Sequence, residues 1–333
     1  MRIAIDAMGG DLAPQATVEG ALLAAAEWPD TTVVLVGDQA RIEPLLQGKK
    51  PANVEIVHAA EVIEADDEPV KAVRRKKDSS MVVAGRMVKE RAVDGMISAG
   101  NTGALMTAGL LVVGRMKGIE RPALAPMLPS MDGEGLLALD LGANMDATPE
   151  QLVQYAIMGS IYRNKVHGVR EPKVGLLNVG TEAMKGNELT KAAYPLLEQA
   201  PIRFVGNVES RDVLKKPCDV LVCDGFAGNI MLKSLEGAAS VIFSALKTEF
   251  TRTWYTKLAA ATVKKGLGSF RKKMDYNEHG AAPLLGVDGL VLKSHGSSSA
   301  VAVKNAVRQA RIAVQSGLID GIRAEISNGS ERS

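Results

Sequence analysis

Apolar residues along this chain fall into two patterns that take turns. Short runs, apolar on both sides of the pleat, recur near 2–6, 32–36, 54–57, 94–98, 136–140, 174–178, 203–206, 219–223 and 289–293. Between most of them lie longer stretches where apolar residues return every three or four positions, at 14–27, 80–91, 103–114, 149–162, 188–199, 229–249 and 298–316. The first pattern predicts buried strands and the second predicts helices packed on one face. Their alternation predicts an α/β fold, a largely parallel sheet with flanking helices. No solenoid-length repeat or low-complexity linker interrupts it, so 1–327 reads as a single large α/β enzyme domain or two interwoven lobes. The polar tail, 328–333, is expected to be flexible.

Composition narrows the function. The chain has 333 residues, 46% of them hydrophobic, which is enough for a large core. Only 4% are aromatic and the formal net charge is +2, so neither stacking platforms nor a global basic footprint for nucleic acid is present. Met1-Arg2-Ile3-Ala4-Ile5-Asp6 reads directly as a strand rather than a leader, and no apolar run approaches the length of a spanning helix, so the expectation is a cytosolic protein. Cys218 and Cys223 lie five apart in a strand-like segment, which predicts opposite faces and reduced thiols. No metal is expected, because the spacing matches no common zinc pattern and histidines are far off.

The chemistry concentrates in turns. Six strand ends combine glycine with small polar residues: DAMGGD (6–11), SAGNTG (98–103), LDLGAN (139–144), NVGTEAMKGNE (178–188), VCDGFAGN (222–229) and KSHGSS (293–298). At a strand-to-helix corner the first helical N–H groups lack partners and the dipole is positive, so an anion settles there readily. One such corner is more often a plain cap, with Asn101 or Thr102 accepting those bonds. Six can converge, because ligands of open parallel sheets sit outside the carboxyl ends of the strands. None is a nucleotide P-loop or a clean dinucleotide fingerprint, and no nucleophile elbow accompanies His58, His167, His279 and His295.

Together with EPVKAVRRKKDSSM (68–81), these turns resemble the PlsX family of bacterial phosphate acyltransferases, from Met1 to about Gln315. IDAMGGD, ISAGNTGALMTAG, NVGTEAMKGNELT and DGFAGNIMLKSLEG carry the resemblance. It implies a fold like the isocitrate and isopropylmalate dehydrogenases and phosphotransacetylase. It also implies a homodimer, a cytoplasmic enzyme peripherally associated with the inner face of the membrane, and a reaction of acyl-acyl carrier protein with inorganic phosphate that starts phospholipid synthesis.

That reaction needs no cofactor. Inorganic phosphate is largely dianionic near neutral pH, so what it requires is placement against the thioester, donors for the developing oxyanion and help for the departing thiolate. Lys185, in a polar loop between strand and helix, is the first candidate for neutralising phosphate or oxyanion. Asn229 is the second, as an oxyanion donor or else a helix cap. His295 is the third, as a donor to phosphate or sulfur or else a structural histidine. Asp6 and Asp11, with Gly9 and Gly10 between them, are expected to orient the loop or a basic side chain rather than touch the anion. Asn101, Thr102, Gly103, Asn144, Thr181, Glu182, Asn187, Asp224, Gly296 and Ser297 complete the expected phosphate and substrate cleft, though each also suits a turn.

Two charged surfaces remain. KAVRRKK (71–77) follows an acidic stretch, and Arg74 and Lys77 are candidate contacts for the acidic carrier protein. Residues 250–274 hold seven Lys or Arg and no acid. Trp254, Leu258 and Ala261 form one apolar stripe, and Leu267, Phe270 and Met274 another past Gly266 and Gly268, so two short amphipathic helices are expected. With Lys264 and Lys265 beside them, they suit an anionic membrane surface, or a dimer partner. The rival functions are a phosphotransacetylase acting on acyl-coenzyme A, a dehydrogenase for which the acidic metal cluster is missing, and a non-catalytic carrier or membrane scaffold.

Overall fold

Among the described residues twelve strands build two sheets, and the chain visits the first sheet twice. The first sheet runs β3 (Val54–His58), β2 (Thr32–Gly37), β1 (Arg2–Asp6), β4 (Gly95–Ser98), β12 (Leu290–Lys293), β11 (Ala282–Leu285) and β5 (Ala123–Leu124). The second runs β6 (Met127–Leu128), β7 (Leu136–Leu139), β10 (Val220–Val222), β8 (Lys173–Asn178) and β9 (Arg203–Glu209). Pairing is parallel except at β11 with β12, β11 with β5, and β6 with β7. The helices are α1 (Gln15–Glu27), α2 (Gln39–Ile42), α3 (Pro69–Arg75), α4 (Ser80–Lys89), α5 (Thr102–Ala108), α6 (Pro149–His167), α7 (Glu188–Gln199), α8 (Gly225–Thr251), α9 (Trp254–Lys273), α10 (Ala300–Gln315) and α11 (Leu318–Ser330). This computed structural model describes residues 1–46, 48, 50–273 and 281–330. The side chains of 259, 261, 264, 265, 267, 269–273 and 328–330 lie outside the description.

A single apolar cluster joins the sheets. Ile3, Ile5 and Leu35 of the first share it with Leu137, Leu139 and Val222 of the second, through Tyr155 and Tyr162 of α6 and Ala306 of α10. Residues of such strands are buried on both faces, which is why they read as unbroken apolar runs. The outer face of the first sheet packs α4 and α5, and that of the second packs the start of α8. Among the described residues no helix is long and apolar enough to cross a membrane.

Several elements differ from expectation. The strand expected at 289–293 is one arm of an antiparallel hairpin whose other arm, β11, contains Pro283. Residues 69–75 are helical, opened by Pro69 at the first turn. The helix expected from 229 starts at Gly225, because the Asp224 side chain accepts from the Ala227 N–H at 2.9 Å. The helical hairpin of 250–274 is instead formed by α8 and α9, meeting at Arg252–Thr253, and α9 runs unbroken through Gly266 and Gly268. The side chains of Ala261, Lys264, Lys265, Leu267 and Phe270, and Met274 and His279 as a whole, fall outside the description. The tail is helical to Ser330, anchored by Ile322 and Ile326 in the core. Cys218 and Cys223 are free and buried in the same outer cluster. The strand proper covers only Val220–Val222, so alternation does not extend back to Cys218. Burial pushes the Cys218 thiol up to about 12 and raises Cys223 as well, so neither is a reactive thiolate.

Candidate active site

β1, β4 and β12 are parallel neighbours, so their carboxyl ends emerge side by side. Three glycine corners therefore meet. Asp11 N–H donates to the Gly296 carbonyl at 2.8 Å and Ser294 N–H to the Ser98 carbonyl at 2.9 Å. Under them lies Asp6, 2% exposed, accepting from the hydroxyls of Ser80 and Ser98, each at 2.6 Å. Burial raises its carboxyl above the ordinary value, while the two serines and the Met8 and Gly9 N–H groups pull it back. Asp6 holds the corners together rather than facing the cleft. Gly9 and Gly10 are required for close approach: a Cβ on Gly9 would stand 2.5 Å from Asp6 Oδ2 and 2.8 Å from Gly100 N, and Gly10 has φ +109°. Asp11 is exposed at the rim with its carboxylate beside Gly296.

The second sheet repeats the construction. Asp140, fully buried at the end of β7, accepts from Ala143 N–H at 3.1 Å and Asn144 N–H at 2.6 Å. Asn144 in turn spends its amide on the Pro122 carbonyl, 2.8 Å, and on Asp140, and its carbonyl accepts from Gly225 N–H. The loop 179–187 is held from below by two buried amides. Asn178 Nδ2 donates to the Lys185 carbonyl at 3.1 Å and Asn207 Nδ2 to the Glu182 carbonyl at 2.8 Å.

α8 separates two hollows. Asn229, Leu232, Lys233 and Glu236, at helical spacing on one face, border a cavity of about 350 Å³ whose other walls include Thr102, Leu141, Gly142, Lys293, Ser294 and His295. Corners of both sheets share this cavity. The opposite face, with Phe226, Ile230, Met231 and Leu235, borders a cavity of about 1050 Å³, which also takes in Asn178, Val179, Gly186, Asn187 and Asp224. Its lining is mostly apolar. Corners 98–103, 139–144, 222–229 and 293–298 thus contribute to the smaller cavity, 178–188 and 222–229 to the larger one, and 6–11 lines neither.

The individual candidates separate accordingly. Thr102, Asn229 and His295 come together in the smaller cavity. Asn229 is half-buried inside α8, not at its cap, packed against Gly142 (φ +127°), and among the described residues no side-chain hydrogen bond engages its amide. Ser297 N–H donates to His295 Nδ1 at 3.2 Å. Ser297 Oγ is 2.8 Å from the same nitrogen, so Ser297 orients the ring. Asn101, expected as a phosphate ligand, is instead consumed by structure. Its oxygen caps Ala104 N–H at 3.0 Å and its amide binds the carbonyls of Ala65 and Asp67. Asn187 and Asp224 likewise cap α7 and α8. Lys185, Thr181 and Glu182 are exposed on their loop and line neither cavity. Gly103 lets α3 approach, a Cβ there standing 2.6 Å from Pro69 Cγ. Arg74 and Lys77 are exposed on or just past α3, which packs on α5, whereas Lys71 and Lys76 pair with Glu68 and Asp67.

One residue was not anticipated. Lys293 ends β12, and its Nζ reaches the Ala99 carbonyl at 3.4 Å and the Ser294 carbonyl. Burial pulls its ammonium down to about 8, against the raising influence of Asp6 and Asp11. The signal in the sequence was a lysine closing an otherwise apolar strand, LVLK. Among the described residues no group of three or more His, Cys, Asp or Glu is arranged to hold a metal.

A mostly parallel α/β chain with its cleft at the strand ends defines the class: this is the phosphotransacetylase fold. A phosphotransacetylase from Streptococcus pyogenes matches with TM-score 0.59 at 16% identity, over 96% of this chain and 94% of that one. The EutD phosphotransacetylase from Staphylococcus aureus matches at 0.58 and 16%, over 95% and 94%. Sequence then gives the particular family. Residues 1–320 match the family described as "Fatty acid synthesis protein", and the chain belongs to it, the PlsX family. A protein named phosphate acyltransferase in Brevibacillus brevis is 61% identical over 330 residues, 99% of this chain and 98% of its own length. One of the same name in Halalkalibacterium halodurans is 54% identical over 333 residues, 100% and 98%. The chain is an acyltransferase enzyme.

Proposed function

We propose that the chain moves the acyl group of an acyl-acyl carrier protein onto inorganic phosphate, giving acyl phosphate and free carrier thiol at the start of phospholipid synthesis. The observation that carries this reading is the cavity of about 350 Å³ in which corners of both sheets present Thr102, Asn229 and His295 to one space. A phosphate oxygen attacks the thioester carbon there. The carbonyl oxygen becomes an oxyanion facing the Asn229 amide, and the C–S bond then breaks with its electron pair on sulfur. The sulfur is protonated or leaves as thiolate, and His295, which borders the cavity, is the candidate donor to phosphate or sulfur. The larger, apolar cavity on the other face of α8 suits a long acyl chain, exceeding what a short acyl group requires. The exposed side of the basic run, Arg74 and Lys77, suits an acidic carrier better than coenzyme A alone. Incubating the protein with acyl carrier thioester and phosphate, then trapping with hydroxylamine, should give the acyl hydroxamate. Turnover on coenzyme A thioesters alone would favour the phosphotransacetylase reading, and no hydroxamate from either would favour a scaffold.

Lys185 enters this reading as an exposed cation on a loop whose carbonyls are clamped by Asn178 and Asn207. Lys185→Ala is expected to lower kcat/KM by about tenfold or more while leaving the melting temperature unchanged, because the side chain supports no packing. An unchanged rate removes Lys185 from the reaction. The same reading includes a homodimer and contact with an anionic membrane surface. Val241 and Ile242 of α8, and Trp254 (74% exposed), Tyr255 and Leu258 of α9, present apolar surface without cover in the single chain. Trp254→Glu with Leu258→Glu should reduce sedimentation with anionic vesicles by roughly tenfold, since the buried apolar area supplies much of such binding. Equal sedimentation with a shift from dimer to monomer would instead assign the patch to the partner.

A further inference from the structure

We propose that Lys293 is the cation that holds the attacking phosphate, its ammonium tethered to two glycine corners and its remaining N–H directed to the cavity they share. This rests on the acyl-transfer reading above and names the side chain that anchors the nucleophile. An ammonium has three donors. At Lys293 one reaches the Ala99 carbonyl, in the corner after β4, and one the Ser294 carbonyl, in the corner after β12. The head group is therefore fixed where two parallel strands end, in a cavity wall that also carries Ser294, His295 and Thr102.

The charges around it explain why an anion is called for. Asp6, at the end of β1, and Asp11, in the loop after it, act on Lys293 from a distance. Neither forms an ion pair with it within 4.0 Å among the described residues. Asp6 is already occupied by Ser80, Ser98 and the Met8 N–H. Across the cavity on α8, Lys233 is bound to Glu236 at 2.8 Å and is 67% exposed, so that pair is self-compensated and solvated. His295, on the same corner, has its Nδ1 turned to Ser297. Lys293 is thus the inner ammonium of this cavity, partly withdrawn from water without a carboxylate in contact. A group so placed gains most from a mobile counter-ion, and a phosphate dianion in a cavity of about 350 Å³ supplies one. The sequence-favoured Lys185, exposed and outside the cavity lining, is left to meet another part of the substrate.

The test uses inorganic phosphate and the full chain. Phosphate binding is followed by ³¹P line broadening on the protein without acyl donor, and by KM for phosphate in turnover. Lys293→Met is expected to weaken phosphate binding and raise KM for phosphate by roughly thirtyfold or more, while KM for the acyl thioester stays within about twofold. A lysine that only braced two carbonyls would not produce that split. Lys293→Arg, which keeps the charge, should restore part of the binding. In the parent protein phosphate affinity should fall as pH rises through about 8, where Lys293 loses its proton, and this limb should vanish in Lys293→Met. If Lys293→Met does not fold, the parent pH titration still decides: affinity that is flat above pH 8 overturns the assignment. An unchanged phosphate affinity in folded Lys293→Met does the same. Phosphate bound through Lys293 without any acyl transfer upholds this assignment and defeats the acyltransfer reading alone. Acyl phosphate formed with an unaltered KM for phosphate defeats this assignment alone.

Discussion

Asn229→Ala should lower kcat by about 10²–10³-fold with little change in KM or melting temperature. The reason is the state of the amide. It sits inside α8 rather than capping it, packs against Gly142, and has no side-chain partner among the described residues. Removing an unpartnered donor orphans nothing in the folded chain, so stability is spared. A donor that meets the oxygen only as it gains charge stabilises the transition state more than the bound substrate, so the loss falls on kcat. Circular dichroism and thermal unfolding establish that the variant is folded, and hydroxamate release under saturating thioester and phosphate measures kcat. A rate within about threefold of the parent's takes Asn229 out of the oxyanion contact.

Gly228→Ala is expected to be the most damaging single methyl group that the start of α8 can receive. A Cβ there would stand 2.1 Å from the Asp140 carbonyl oxygen, 2.8 Å from Cys223 Sγ and 2.8 Å from Leu141 Cδ2. The first of these is backbone at the end of β7, beneath a carboxylate that organises the corner 140–144, so it cannot turn aside as a side chain would. Relief requires α8 to lift off the second sheet, at a cost of about 3 kcal/mol or more. Lifting α8 also moves Asn229, so activity should fall with stability. Gly237→Ala lies on the same helix where an added Cβ meets nothing within 4 Å, and it should stabilise by about 0.5–1 kcal/mol. Denaturant midpoints of the two variants on either side of the parent would bear this out. A Gly228→Ala midpoint equal to the parent's would mean that the helix and β7 are not in this contact.

The pair of variants also shows where sequence reading succeeds. A helix around 229–249 was legible because apolar residues recur on one face. Its start at Gly225 was not, because Asp224 looks the same whether it binds substrate or caps Ala227 N–H. Asn101, Asn187 and Asp224 share that ambiguity: short polar side chains serve equally as ligands and as caps, and only coordinates show where their oxygens point. Lys293 is inconspicuous in the sequence for the converse reason. Its neighbours in sequence are apolar or small, and the charges that give it meaning, Asp6 and Asp11, lie almost three hundred residues away. Lys185, conspicuous in a polar loop, lies on the surface of that loop.

By itself the sequence determined the class of fold, since local periodicity of burial is written into each strand and helix, and it determined the family through long uninterrupted motifs. The tertiary structure decided how the turns are distributed. β12 returns to lie beside β4 after an excursion through the second sheet, bringing the corner 293–298 against 6–11 and 98–103. It also stationed α8 between the two cavities and left 178–188 to the larger one. Such neighbourhoods arise from strand order and from one core shared by both sheets, which are properties of the whole chain's packing and of no single segment's pattern.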